Sequence, residues 1–369
     1  MRFRAGPQDG NRPSEQFTFR RIIQEAYLYS MWKDYKYLLA YTLPLAGLLG
    51  VHYGGAWSPG SIYVAFVLLP VLELVLPADV TNHPEGAEPN RSGRRFFDWL
   101  LYLNIPVLYG ILGYFLYVAT TRDLSGWETA GMVCNVGLLI GSIGINVAHE
   151  LGHRSTRGEQ LLAQILLIPG LYLHFFIEHN RGHHRHVATP LDPATSRRGQ
   201  TVYAFWLRSV GLSYLDAWRL DRALMVRFTL VQLAYLTLIA WAFGWAGLGL
   251  AIGAGIFGFL MLETVNYIEH YGLLRRQNEH GRYEPVLPIH SWNSDHELGR
   301  ILLYELTRHS DHHFKSTRKY QILRRYEESP QLPSGYPACM LLALVPPLWF
   351  RVMDPRVERY SASVLNRPA

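Results

Sequence analysis

Charged residues are absent from four long stretches of this chain, 37 to 72, 99 to 121, 129 to 149 and 228 to 262, and crowded into the segments between them. Each stretch reaches the roughly 20 apolar residues that a helix needs to cross about 30 Å of hydrocarbon. The first and last are long enough for two helices each. Turn-forming residues divide them: Gly54, Gly55, Pro59 and Gly60 in the first, and Gly244, Gly247 and Gly249 in the last. The pattern predicts six spanning helices, at about 35 to 54, 60 to 76, 99 to 120, 128 to 148, 226 to 244 and 247 to 266.

Two further apolar segments do not read as spans. In 160 to 177, Pro169 and Gly170 interrupt the run, and crossing would put His153 and His179 on opposite faces of the membrane. A helix pair packed on the bundle or dipping into the inner leaflet is expected there. The segment 330 to 350 is broken by several prolines and reads as a membrane-edge element. Residues 14 to 32 read as an interfacial helix begun by Ser14, and the last residues as a loose tail. The expected division is therefore 1–34, an N-terminal interfacial segment; 35–354, a six-helix catalytic domain with a cytoplasmic cap; and 355–369, a tail.

Composition supports this class. Of 369 residues, 49% are hydrophobic and only 17% charged, with 10 Trp and 23 Tyr; soluble domains carry about a quarter charged residues. The three short loops that would face outward hold a single base, Arg122, of the 35 in the chain, which places both termini and the long connections on the cytoplasmic side. The same bias, with anionic lipid, accounts for the net charge of +6 without nucleic acid. Cys134 and Cys339 are the two cysteines, too few for a disulfide scaffold, a CxxC zinc site or a built-in iron–sulfur centre. No flavin or nicotinamide fingerprint is present, so electrons for any redox chemistry come from outside.

The candidate chemistry lies in the 16 histidines. Nine fall in four runs beyond the inner end of the fourth span: His149 and His153 in HELGH; His179, His183 and His184 in EHNRGHH; His270 in NYIEHYGL; and His309, His312 and His313 in RHSDHH. Spacings of three and four put rings on one helical face, and Gly182 is expected to let the chain turn between the rings of the second run. Nine imidazoles packed at a membrane surface without a shared ligand would leave polar groups unpaired or repelling. Metal supplies the partner, and nine donors exceed the roughly four to six that one ion takes, which implies two ions. His52, His83, His174, His186, His280, His290 and His296 read as ordinary surface or hydrogen-bonded residues. The first run also matches H-E-x-x-H, with Glu150 as the general base of a zinc protease, but a zinc with about three protein ligands would leave most of the clustered rings unused.

The four runs resemble the histidine boxes of integral-membrane non-haem diiron enzymes, a superfamily that includes fatty-acid desaturases. The flanking text, EHNRGHHRHVATPLDPATS, NYIEHYGL and RHSDHHFKSTRKYQILR, most resembles the alkane 1-monooxygenases over about residues 30 to 350. Arg154, where lysine is expected, and Gln200, where an acid is usual, are departures that touch no ligand. The resemblance implies an all-α membrane fold and two iron ions held by His149, His153, His179, His183, His184, His270, His309, His312 and His313. It also implies terminal hydroxylation of n-alkanes with O2, a separate rubredoxin as electron donor with its reductase upstream, and a place in the bacterial inner membrane. A desaturase or aryl-methyl hydroxylase of the same metal class is the alternative.

Glu150, Glu178, Glu269, Asp192 and Asp311 are adjacent acids able to accept the outer ring N–H of the ligands. Phe66, Leu69, Ile140, Ile143 and Val147 are candidates to line an apolar tunnel, and Glu73 and Asn135 are costly polar residues that should face the bundle interior. Arg197, Arg198, Arg318, Lys319, Arg324 and Arg325 are a candidate docking face for an acidic donor protein.

Overall fold

The computed structural model describes residues 33–365, so the helix expected over 14–32 lies outside the described residues. Among these residues the chain is helical, with extended pairing limited to isolated bridges such as Ala78 with His296. A tight segment, Tyr35–Tyr41, leads into α1, Thr42–Tyr53, which ends where Gly54 and Gly55 take φ of 65° and 54°, open to residues without a Cβ. Helix α2 runs Gly60–Val75 with a π-type turn at Val64–Leu68.

Helix α3, Arg95–Thr121, starts ahead of the charge-free stretch because Phe97 is already buried in the core. Helix α4, Gly126–Gly152, begins at a capping box: Ser125 accepts from the Glu128 N–H and the Glu128 carboxylate returns to the Ser125 N–H. The segment expected not to cross is α5, Arg157–Leu167, whose 11 residues reach only about 16 Å, followed by a turn and the short α6, Phe175–Glu178. Helix α7, Val202–Leu220, precedes α8, Arg222–His270. The 49 residues of α8 are too long for one crossing, and Gly244 (φ 68°, ψ −174°) kinks them into two arms. Trp241 and Trp245 beside the kink are 82% and 83% exposed, a surface suited to a membrane interface.

The chain then forms α9, Glu297–Leu302, and α10, His309–Phe314, and closes with α11, Tyr336–Ala343, and α12, Pro346–Leu365. Helices α11 and α12 meet at a bend of 120°. Among the described residues α3, α4 and α8 are each long and apolar enough to cross a membrane; α2 is shorter, and α11 with α12 qualifies only as a bent pair. The helical order of α12 continues past 354, where the loose tail was expected, because Met353 and Val357 are buried and Tyr271 donates to Asp354 at 2.7 Å.

Small residues let α4 and α8 touch. A Cβ on Gly137 would lie 2.8 Å from the Ala254 carbonyl, and one on Gly258 2.9 Å from the Gly137 carbonyl. Asn135 does face the interior: it donates to the Gly47 carbonyl and accepts from the Ser61 N–H, both at 2.9 Å, tying α1, α2 and α4 together. Glu73, 4% exposed, is wedged at the C-terminal end of α2 against Gly299 and Gly335.

Candidate metal centre

All nine histidines singled out from the sequence meet at one end of the bundle. His149 lies in the last turn of α4 and His153 follows its end; His270 closes α8; His309, His312 and His313 ride α10. The second run continues from α6 as a π-type turn, His179–His183. That wider turn, not a glycine bend, brings rings five apart together, and His179 and His184 have Nε2 atoms 3.0 Å apart. Gly182 has a different role from the expected one: a Cβ there would sit 2.8 Å from Glu178 Oε1, so the glycine makes room for that carboxylate.

The rings form two sets. His149, His153, His179, His184 and His312 make one and His183, His270, His309 and His313 the other, with the potential donor atoms of each set all within 4.8 Å of one another. In the first, Nε2 separations are 2.8 Å for His149 with His312, 3.2 Å for His153 with His179 and 3.0 Å for His184 with His312. In the second they are 3.2 Å for His183 with His313, 2.9 Å for His309 with His313 and 3.1 Å for His270 with His309. Nitrogens bound at about 2.1 Å and at right angles around one ion lie about 3.0 Å apart.

Hydrogen bonding alone does not satisfy this packing. Each neutral imidazole nitrogen has either one proton or one lone pair, yet His184 Nε2 faces both His179 and His312, and His313 Nε2 faces both His183 and His309. Each set could hold a cation, which would serve its rings as a common partner. Burial first, then neighbouring rings, push His179, His184, His309, His312 and His313 well below the usual histidine value, and His153 to about 3, which favours in these six the neutral form that binds a cation.

The adjacent acids divide in ways that spacing did not reveal. Asp192 accepts from His183 Nδ1 at 2.9 Å and so turns Nε2 toward its set. Glu269 approaches from the converging side instead, with Oε2 3.2 Å from His309 Nε2 and Oε1 accepting from Tyr336 at 2.8 Å. Glu150 pairs with Arg154 at 2.7 Å and accepts from the Tyr320 N–H, and Asp311 is held by Arg318 at 2.8 Å and by the Arg324 N–H. Neither acts on a ring. Glu178 lines a cavity behind His179. Tyr336, Tyr172 and Glu263 around the site carried no sequence signal, since a lone Tyr or Glu at a helix end has many ordinary uses.

Apolar space opens between helices that include α4 and α8, the carriers of His149 and His270. A cavity of about 70 Å³ lies between α2, α4, α8, α9 and α11, lined among others by Phe66, Leu69, Leu138, Ser142, Asn146 and Tyr336. Ser142 and Asn146 stand two turns and one turn before His149 on α4. Of the five expected lining residues, Phe66 and Leu69 are there; Ile140, Ile143 and Val147 are fully buried in the surrounding core. Five of the six candidate docking bases are already engaged: Arg198 with Glu358, Arg318 with Asp311, Lys319 with Asp98, Arg324 with Glu88 and Arg325 with Asp295.

Comparison with known proteins agrees with this site. A family model described as fatty acid desaturase matches residues 125–343. The chain is 41% identical over 332 residues to alkane 1-monooxygenase 2 of Pseudomonas aeruginosa, covering 85% of this chain and 88% of that protein. It is 37% identical over 367 residues to the alkane 1-monooxygenase of Ectopseudomonas oleovorans, with 94% and 91% covered. The hydroxylase component of a xylene/toluene monooxygenase from Pseudomonas putida is 30% identical over 336 residues, with 86% and 87% covered. Because the likeness runs through the apolar helices as well as the histidine runs, the chain belongs to the alkane 1-monooxygenase family and to the wider fatty acid desaturase family.

Proposed function

We propose that this chain is an oxidoreductase of the bacterial inner membrane that converts medium-chain n-alkanes to 1-alkanols, using O2 and two electrons from reduced rubredoxin. The observation that carries this reading is the convergence of two sets of imidazole nitrogens, with an apolar cavity lined by Ser142 and Asn146, two turns and one turn before His149 on α4. His149, His153, His179, His184 and His312 would hold one iron, and His183, His270, His309 and His313 the other. When bound, the pair supplies the reduction of O2 needed to attack an unactivated C–H bond.

The chain's own contribution is placement. The cavity accepts hydrocarbon because its few polar groups are turned into the backbone: Ser142 donates to the Leu138 carbonyl at 2.8 Å and Asn146 to the Leu303 carbonyl at 3.0 Å. Terminal C–H bonds are stronger than internal ones, so a freely tumbling chain would react in its middle. A narrow cavity that presents one methyl group reverses that order by geometry. Each methylene leaving water contributes about 0.8 kcal/mol, and one leaving lipid much less, so chain-length preference follows cavity length more than affinity. Asp192 keeps its proton-accepting contact on His183 Nδ1, which fixes the tautomer that offers Nε2 to metal.

The membrane arrangement belongs to the same proposal: α1, α2, α3, α4 and the two arms of α8 as six spans, with both termini and the histidine cap on the cytoplasmic side. Metal analysis with aerobic turnover of a deuterated n-alkane, driven by reduced rubredoxin, tests it. About two irons per chain and a primary alcohol are expected; a single zinc, or no alcohol, defeats it. The 30% identity to a xylene/toluene hydroxylase component supports a second reading, oxidation of aryl methyl groups, which xylene in the same assay decides.

A further inference from the structure

A small cavity with polar groups in its lining lies against His179, the only one of the nine rings that lines it. Its lining includes Tyr172, His174, Glu178, Ser213, Glu263 and Asn266, and its volume of about 10 Å³ has room for a single water. Three polar atoms have no protein partner: His174 Nε2, Glu178 Oε1 and Glu263 Oε2. Their residues are 5%, 3% and 2% exposed, so bulk solvent does not serve them. Unpaired groups this deep carry a large desolvation cost, and a bridging water is the partner that fits.

The cavity has an outer and an inner end. Outward, His174 meets Tyr214 of α7 with ring centroids 5.2 Å apart, and Tyr214 is 40% exposed. Inward, Glu263 Oε1 accepts from Tyr172 at 2.8 Å and from Asn266 at 3.3 Å. Asn266 stands one turn before His270 of the four-ring set, while His179 of the five-ring set lines the cavity itself. The space therefore abuts the five-ring set directly and, through Asn266, lies one helical turn along α8 from the four-ring set. The charged groups nearest Glu263 leave it without an ion pair: Arg208 donates to Thr195 and Gln200, His183 to Asp192, and Asp216 binds Arg219.

Resting on the function proposed above, we infer that this cavity is the proton inlet of the metal centre, with Glu263 as the carrier and a water bridging it to His174 and Glu178. The reaction needs one. Alkane, O2, two electrons and two protons give alcohol and water: the O–O and C–H bonds break, C–O and O–H bonds form, the donor is oxidised, and both protons end in the released water. Seven of the nine rings, His179 among them, are buried and His153 and His184 are half-buried, so protons bound for the His179 side of the centre cross protein.

The test uses the full-length enzyme in membranes with Glu263→Gln, Glu263→Asp and Tyr172→Phe. Glu263→Gln should keep the wild-type metal content yet lower turnover about 100-fold, in the range of lost proton transfer. It should also raise the H2O/D2O rate ratio and the reductant consumed per alcohol formed. Glu263→Asp should recover part of the rate and Tyr172→Phe should lose part. Infrared spectra of metal-free protein give an independent readout, a deuterium-sensitive carboxyl C=O band that Glu263→Gln removes. An unchanged solvent ratio and coupling in Glu263→Gln, or no such band in wild-type protein, overturns the inlet. Wild-type protein that shows the band but makes no alcohol defeats the proposed function instead.

Discussion

Glu150 and Arg154 separate the oxygenase reading from a zinc protease, because the two assign Glu150 opposite tasks. Here it faces away from the rings. Arg154, whose side chain is 5% exposed, holds Glu150 at 2.7 Å, Asp98 at 3.1 Å and Glu159 at 3.8 Å. Replacing it with Met leaves the Glu150 carboxylate buried with only the Tyr320 N–H at 3.2 Å. Breaking a buried pair from one side costs about 3–5 kcal/mol. Glu150→Gln is milder, about 1–3 kcal/mol, because the amide oxygen still accepts from Tyr320 and Arg154 keeps Asp98. The double variant should cost less than the sum, with a coupling of about 1–3 kcal/mol. Arg154→Lys should fall between, since one ammonium cannot span two carboxylates as a guanidinium does. Unfolding of the detergent-solubilised protein by denaturant, with metal content and alkane turnover per bound metal, measures each term. Turnover per metal should survive Glu150→Gln. Loss of turnover in metal-replete Glu150→Gln, or zero coupling in the cycle, would refute this account.

Three other outcomes follow from the geometry. Asp192→Asn should weaken metal retention about 10–100-fold in chelator competition through loss of the His183 contact; unchanged retention removes that role. Burial alone would raise Glu305, but Arg300 and Arg308 pull it down to about 2. Its folded value is thus depressed, so its stabilisation is present above the ordinary carboxylate range and is lost as pH falls through that range toward 2. Melting followed from pH 7 to pH 3 should show this acid loss, and Glu305→Gln should flatten it. Leu138 lines the apolar cavity two turns beyond Asn146, about 12 Å along α4. Leu138→Ala should shift product from mixed alkanes toward longer chains and Leu138→Phe toward shorter ones, read by gas chromatography. An unmoved ratio in both would place the substrate elsewhere.

The membrane class and the nine histidines were both readable along the chain. The cost of burying charge in hydrocarbon applies residue by residue, so charge-free runs announce apolar helices without any knowledge of their neighbours. Imidazole is likewise a donor wherever it lies, and three dense runs with the lone His270, near helix ends, point to metal.

The partition of those rings was a different matter. His149 and His312 are 163 positions apart in sequence, yet their Nε2 atoms are 2.8 Å apart. Which ring meets which depends on helix crossings and on a π-type turn at His179–His183 that no local spacing encodes. The same holds for the acids: Glu150, Asp192, Glu269 and Asp311 all sit near ligands in sequence, and only Asp192 accepts the outer N–H of a ring. Five of the six candidate docking bases proved to be ion-paired, and α12 outlasted its expected end, for one reason. Partners for a charge or an apolar face are chosen by long-range packing, whereas sequence by itself states only that a partner is required.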